Sequence, residues 1–197
     1  MIYHAAVVLT RCWTERGVIK QKDAEIYRYG LELLISSFVN TILMVDISVF
    51  IGQPLIVIPY LMGFTPFRLF SGGYHARNHL TCIVVNTTLY SISCFITKHV
   101  VKKIAIPASL FVCSISFLLV LLFAPVSAAN KPLCSQDKQR NHKISFFMAI
   151  TLEFICIVLF LTNRLGTMFS NMLFCGQMMA TALFVAGIVV DRSIKSN

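Results

Sequence analysis

Phe67-Arg68-Leu69-Phe70-Ser71-Gly72-Gly73-Tyr74-His75-Ala76-Arg77-Asn78-His79-Leu80-Thr81-Cys82 is an island of polar and reactive residue types between long apolar runs. Two arginines, paired glycines, two histidines and a cysteine would be ordinary in a soluble loop. Beside membrane-like segments such groups are costly, and they mark function. The apolar runs on either side are then the scaffold that holds the island.

Composition agrees with that division. Of 197 residues 57% are hydrophobic and only 13% charged, and the mean hydropathy of +0.77 is more than one globular core could hide. The class is therefore all-α: a polytopic membrane helix bundle, residues 1–197 forming one integral-membrane domain. Sixteen phenylalanines against one tryptophan suit lipid-facing helices, with the tyrosines nearer the interfaces. The net charge of +9 could point to nucleic acid, but the basic residues are spread over short loops. Topology and anionic lipid explain them better, and no nucleic-acid partner is expected. Seven cysteines, an odd number mostly within apolar runs and without a C-x-x-C pair, argue against a disulfide framework or a zinc ribbon.

Six apolar segments are expected. Ile2 to Ile19 places Ala5, Ala6, Val8, Leu9, Cys12 and Trp13 on one side at helical spacing, an amphipathic helix lying on the membrane or packed on the bundle. Arg11, Glu15 and Arg16 interrupt it too often for a cleavable signal peptide. Residues 1–30 thus form an amphipathic face region, 31–190 the membrane bundle and 191–197 a polar tail. Leu31 to Ile51 can cross a hydrocarbon core of about 30 Å, with Glu32 at its edge, Asn40 and Asp46 deeper, and Gly52-Gln53-Pro54 ending it. Pro54 to Phe67, interrupted by Pro59, Gly63 and Pro66, is shorter than the usual span of about 17 to 25 residues and suits a short or re-entrant piece beside a wet cavity. Leu80 to Thr97, Ile104 to Phe123, Ile144 to Thr162 and Thr167 to Val190 complete the set, with a basic loop over Val126 to Lys143.

Alternating these segments from an inner N-terminus puts thirteen of the seventeen Lys and Arg residues inside and leaves Lys98, Lys102, Lys103 and Arg164 outside. The asymmetry predicts a cytoplasmic N-terminus and a cytoplasmic polar island. No internal repeat supports an inverted-repeat transporter.

Within the island a cysteine nucleophile needs a base or a cation, because a free thiol with a pKa of about 8.5 is mostly protonated at neutral pH. His75 and Cys82 are the obvious pair, yet seven residues along one continuous helix would hold them about 10.5 Å apart, too far to share a proton. The chain must bend. Gly72 and Gly73 permit it, and Asn78 is a helix N-cap candidate that would set Cys82 in the first turns, where the dipole favours a thiolate. A rival is zinc on His75, His79 and Cys82, spaced along one helical face, although the glutamate of H-E-x-x-H is missing and no fourth ligand is evident. A noncatalytic transporter or scaffold is the third class. Cys94, Cys113, Cys156 and Cys175 read as packing, and Cys134 has only His142 near it as a base.

The order Arg68, Gly72-Gly73-Tyr74-His75, then six residues and Cys82 resembles the motif of the accessory gene regulator protein B (AgrB) family of quorum-sensing membrane endopeptidases. The likeness extends to the Ala124-Pro125-Val126 to Lys131-Pro132 loop, whereas Lys138, Arg140 and Lys143 are more dispersed than the clustered lysines of the family, so no role is carried to them. The resemblance implies a cysteine endopeptidase without a cofactor, in the bacterial cell membrane and acting as a homodimer. It would cut a small amphipathic propeptide at the cytoplasmic face through His75 and Cys82. A side chain of the peptide would then resolve the acyl-enzyme into a thiolactone or lactone signal precursor. Arg68 would anchor the acidic propeptide tail or lipid phosphate, and Gly72 and Gly73 would shape the turn or present an oxyanion amide. Asp46, Asn86 and Glu153 are alternatives for a residue that orients the histidine.

Overall fold

The structure, a computed structural model, describes residues 2–71, 78–99, 111, 114–119, 122–123, 135–162 and 168–196. Every regular element among them is helical. Helix α1, Ile2–Glu15, closes at Gly17, whose φ of 70° lets its own N–H reach the carbonyl of Thr14 at 3.0 Å and the Val18 N–H reach Trp13 at 2.9 Å. That is the glycine-terminated ending which satisfies otherwise unpaired carbonyls. Ala6 and Thr10 are buried against α2, while Val8 and Leu9 face outward. The side expected to be uniformly apolar is therefore split: its small residue meets the bundle and its larger ones are free for lipid.

Helix α2, Ala24–Phe50, starts seven residues before the expected span and ends as the sequence indicates. Gly52, at φ 80°, repeats the α1 ending through Gly52 to Val49 and Gln53 to Ser48, each 2.9 Å. After a short 3₁₀ turn at Pro54–Ile56, helix α3 runs from Val57 to Ser71. It is short but unbroken, with Pro66 inside it, and it continues past Phe67, so Arg68 stands in its last turn rather than in a loop. Helix α4 spans His79–His99, α5 Ser135–Leu161 and α6 Met168–Ser196. The last two extend beyond the expected spans, so residues 135–143 of the basic loop and 191–196 of the tail are helical. Five stretches among the described residues are long and apolar enough to cross a membrane. The sixth expected segment, 104–123, lies mostly outside the described residues; 114–119 within it are helical.

The core forms where α3 meets α6. A methyl group added at Gly63 would collide with the Leu173 carbonyl, and one at Gly176 with the Tyr60 carbonyl. The two backbones touch because each offers the other a glycine, the close approach that small residues permit between membrane helices. Around this contact Tyr60 stacks on Phe64 at 5.6 Å and meets Tyr90 edge-on at 4.8 Å, and Phe67 meets Phe184 edge-on at 6.1 Å.

Candidate active site

Helices α2 and α4 are joined by three polar contacts. Glu32 Oε2 accepts from His79 Nε2 at 2.9 Å, Thr87 Oγ1 donates to Asn40 Oδ1 at 3.2 Å, and Ser48 bonds to Tyr90. The contacts follow one another in the same sense along both chains, so the helices run parallel. Their shared starting end is where α3 delivers Arg68 and where α4 begins.

Asn78 precedes the first turn of α4, and its Oδ1 accepts from the Leu80 N–H at 3.4 Å. A side-chain oxygen there satisfies one of the free N–H groups of the helix start. The Cys82 N–H makes the first backbone bond of the helix, to Asn78 O at 3.1 Å. Cys82 therefore sits in the opening turn, where negative charge meets the positive end of the helix dipole. Its thiol is half-buried and free. One turn on, Asn86 Nδ2 stands 3.6 Å from Cys82 Sγ, and Asn86 Oδ1 is buried without a partner. Arg68, half-buried in the last turn of α3, is near enough for its guanidinium and the Cys82 sulfur to interact electrostatically.

Gly72, Gly73 and His75 lie outside the described residues, as do Tyr74, Ala76 and Arg77. The structure thus brings together Arg68, Asn78 and Cys82 of the expected set and adds Asn86 from the three alternatives for an orienting residue. Asp46 is exposed on α2 and, counted from the Asn40–Thr87 contact, about 16 Å further along the helix axes than Cys82. The side chain of Glu153 and residues Lys131 and Cys134 lie outside the described residues. Cys94 and Cys175 are buried in the core, as packing residues are.

Two residues of the site escaped sequence reasoning. Glu32, at the edge of its span, is buried there: its side chain is only 10% exposed, and it bridges His79 to Arg28, whose Nε is 3.6 Å from Glu32 Oε1. Arg28 in turn pairs with Glu25 at 3.0 Å and lies over the Tyr3 ring of α1 at 5.2 Å. The available signal was the four-residue spacing of Arg28 and Glu32 at the start of a span, where an unpaired acid would be costly. The same bond bears on the zinc alternative, because His79 Nε2 is engaged by Glu32 rather than turned to Cys82. Among the described residues no three His, Cys, Asp or Glu side chains gather as a metal site would require.

The family model for accessory gene regulator B matches residues 9–187. The chain is 24% identical over 136 residues to the accessory gene regulator protein B of Staphylococcus saprophyticus subsp. saprophyticus, an alignment covering 69% of this chain and 70% of that one. Against the protein of the same name from Staphylococcus lugdunensis it is 22% identical over 136 residues, with the same coverage. An AgrB-like protein of Clostridium perfringens is 26% identical over 149 residues, covering 69% and 68% of the two chains. No solved structure matches the chain. Since the matched residues run from α1 into α6 and take in the whole motif, this chain belongs to the accessory gene regulator B family, whose members serve accessory gene regulation in quorum sensing.

Proposed function

We propose that the protein is a membrane-embedded cysteine endopeptidase that cleaves a small amphipathic propeptide near its C-terminus, at the cytoplasmic face, and promotes cyclisation of the product. The observation that carries this reading is the setting of Cys82: a half-buried thiol in the capped first turn of α4, with the Asn86 amide 3.6 Å from its sulfur and the Arg68 guanidinium within electrostatic range. That is the kind of partly exposed, electropositive place in which a cysteine becomes a nucleophile.

The chemistry runs in two acyl transfers. The Cys82 thiolate attacks the scissile carbonyl, the C–N bond breaks and the leaving amine takes a proton from His75. The resulting thioester is attacked by a thiol or hydroxyl of the same peptide, which releases Cys82 and closes a thiolactone or lactone ring. An internal nucleophile held against the ester has a high effective concentration, and a site at the membrane boundary limits the competing water. Arg68 is suited to the carboxylates of an acidic peptide tail, with which a guanidinium can pair in bidentate fashion. The enzyme would work as a homodimer in the bacterial cell membrane, with its N-terminus on the cytoplasmic side. The excess of basic residues on the inner loops supports that orientation.

The test is to search the neighbouring reading frames for a small amphipathic peptide with an acidic tail and to assay its cleavage by protein reconstituted in lipid vesicles. Wild-type protein is expected to cut it and to carry a hydroxylamine-sensitive adduct on Cys82. Full activity in both Cys82→Ala and His75→Ala would end the proposal.

A further inference from the structure

A glutamate at the start of a membrane-spanning helix, with its side chain only 10% exposed and its carboxylate shared between a guanidinium and an imidazole on different helices, calls for a reason. Stability is a weak one, because desolvating the ions offsets most of their attraction and apolar replacements of buried pairs are often neutral or better. The best-attested use of such a pair is to select one register.

Resting on the reading of Cys82 as nucleophile, we propose that Glu32 is a positioning residue for Cys82, acting through His79 to set the rotation and height of the start of α4. His79 lies three residues before Cys82, which puts the two sites about 4.5 Å apart along the axis and about 60° apart around it. The face of α4 that meets α2 carries His79, Thr87 and Tyr90, and Cys82 lies to one side of it. A slip of one residue would turn the sulfur to where exposed Thr81 or buried Ile83 now stands. Between those two is the half-buried setting that a nucleophile needs.

Among the described residues, other polar contacts that tie this end of α4 to α2 are few. The Asn78 cap belongs to α4 itself and does not tie the helix to a neighbour. The next polar contact to α2, Asn40 with Thr87, is two turns or about 12 Å further on. The carboxylate of Glu32, by contrast, is hydrogen-bonded across to α4 through Oε2, 2.9 Å from His79 Nε2, while Oε1 faces the Arg28 guanidinium in a looser ion pair at 3.6 Å. Arg28 is itself fixed by Glu25 at 3.0 Å and by the Tyr3 hydroxyl at 3.3 Å. Placement errors of about 1 Å at a reacting group cost on the order of a hundredfold in rate, so a clamp one turn from the sulfur matters more to catalysis than to folding.

The experiment uses the full-length protein in vesicles with two readouts: propeptide cleavage, resolved into kcat and KM, and the rate at which N-ethylmaleimide alkylates Cys82 without propeptide, followed by mass spectrometry of the Cys82 peptide. Glu32→Gln keeps the side-chain volume and removes the charge. It is expected to lower kcat by about 10- to 100-fold with KM within about twofold, and to change the alkylation rate by at least about threefold. His79→Leu should match it, the double variant should fall no further than either single one, and His79→Lys, which keeps an N–H donor for Glu32, should retain most of kcat. An unchanged Cys82 alkylation rate in Glu32→Gln, an additive double variant, or a loss confined to KM would overturn the proposal. If Glu32→Gln fails to accumulate in the membrane, the contrast of His79→Leu with His79→Lys decides. If Cys82→Ala still cleaves, the nucleophile reading fails on its own and the alkylation rates alone decide on the clamp.

Discussion

Helices α3 and α6 meet backbone to backbone through Gly63 and Gly176, whereas α2 and α4 meet through side-chain polar contacts at Glu32, Asn40 and Ser48. The first pair is deeply packed, with 44% and 61% of its span residues buried, against 17% and 28% for the second. The difference teaches where the molecule is rigid and where it is adjustable. In lipid there is no hydrophobic drive between helices, so close packing of small residues holds one pair together and hydrogen bonds orient the other. The candidate nucleophile belongs to the lightly packed pair, and Arg68, at the end of α3, reaches it from the rigid one.

That contrast can be broken at graded cost. The largest effect is expected from Cys82→Ala, which should lower propeptide cleavage by at least about a thousandfold while leaving the thermal unfolding transition in detergent unmoved, because a half-buried thiol contributes little packing. Gly176→Leu attacks the rigid pair instead. Its side chain would meet the backbone of Tyr60 and Phe64, which cannot give way as a flexible side chain could, so a loss of about 3 kcal/mol is expected in detergent unfolding assays. Gly30→Leu on α2, where nothing lies within 4 Å, should stay within about 0.5 kcal/mol of the wild type. Equal tolerance at the two glycines would show the backbone contact to be unimportant.

Smaller effects sharpen the second half of the comparison. Asn86→Ala removes the amide from the Cys82 sulfur and is expected to slow cleavage about tenfold, the worth of one hydrogen bond to a charged acceptor. Asn86→Asp should be slower still, since a carboxylate opposes a thiolate, and an Asp variant faster than Ala would remove Asn86 from the chemistry. Thr87→Val, which breaks the middle contact between α2 and α4, should cost about 0.6 kcal/mol of stability and change cleavage by less than about twofold. A cleavage defect there as large as that of Glu32→Gln would mean that α4 is held along its whole length rather than at its start.

Much of this was legible before any coordinates. Apolar runs are read directly from composition, and Gly52 and Asn78 announce a helix end and a helix start because a left-handed residue and an oxygen-bearing cap have local requirements. Helix extent was less legible. Pro66 suggested a break, but α3 continues through it, and the polar residues 135–143 looked like loop until they proved to extend α5. In 135–143 the neighbouring turns override a weak local preference, whereas the strong one of Pro66 is tolerated because membrane helices can re-satisfy the backbone group it frees. Arg68 and Cys82 could be singled out by residue type alone, whereas the position of Glu32 at the edge of its span gave no sign of its partner on α4.

The order of amino acids alone determined the helical membrane class, most of the spans and the motif from Arg68 to Cys82, because hydropathy and capping are local properties. Only the tertiary structure decided that Glu32 meets His79 and that Gly63 and Gly176 each meet the opposite backbone. The first pair is separated by 47 residues. Contacts of that kind depend on how parallel helices are rotated and offset against one another, which no local pattern encodes.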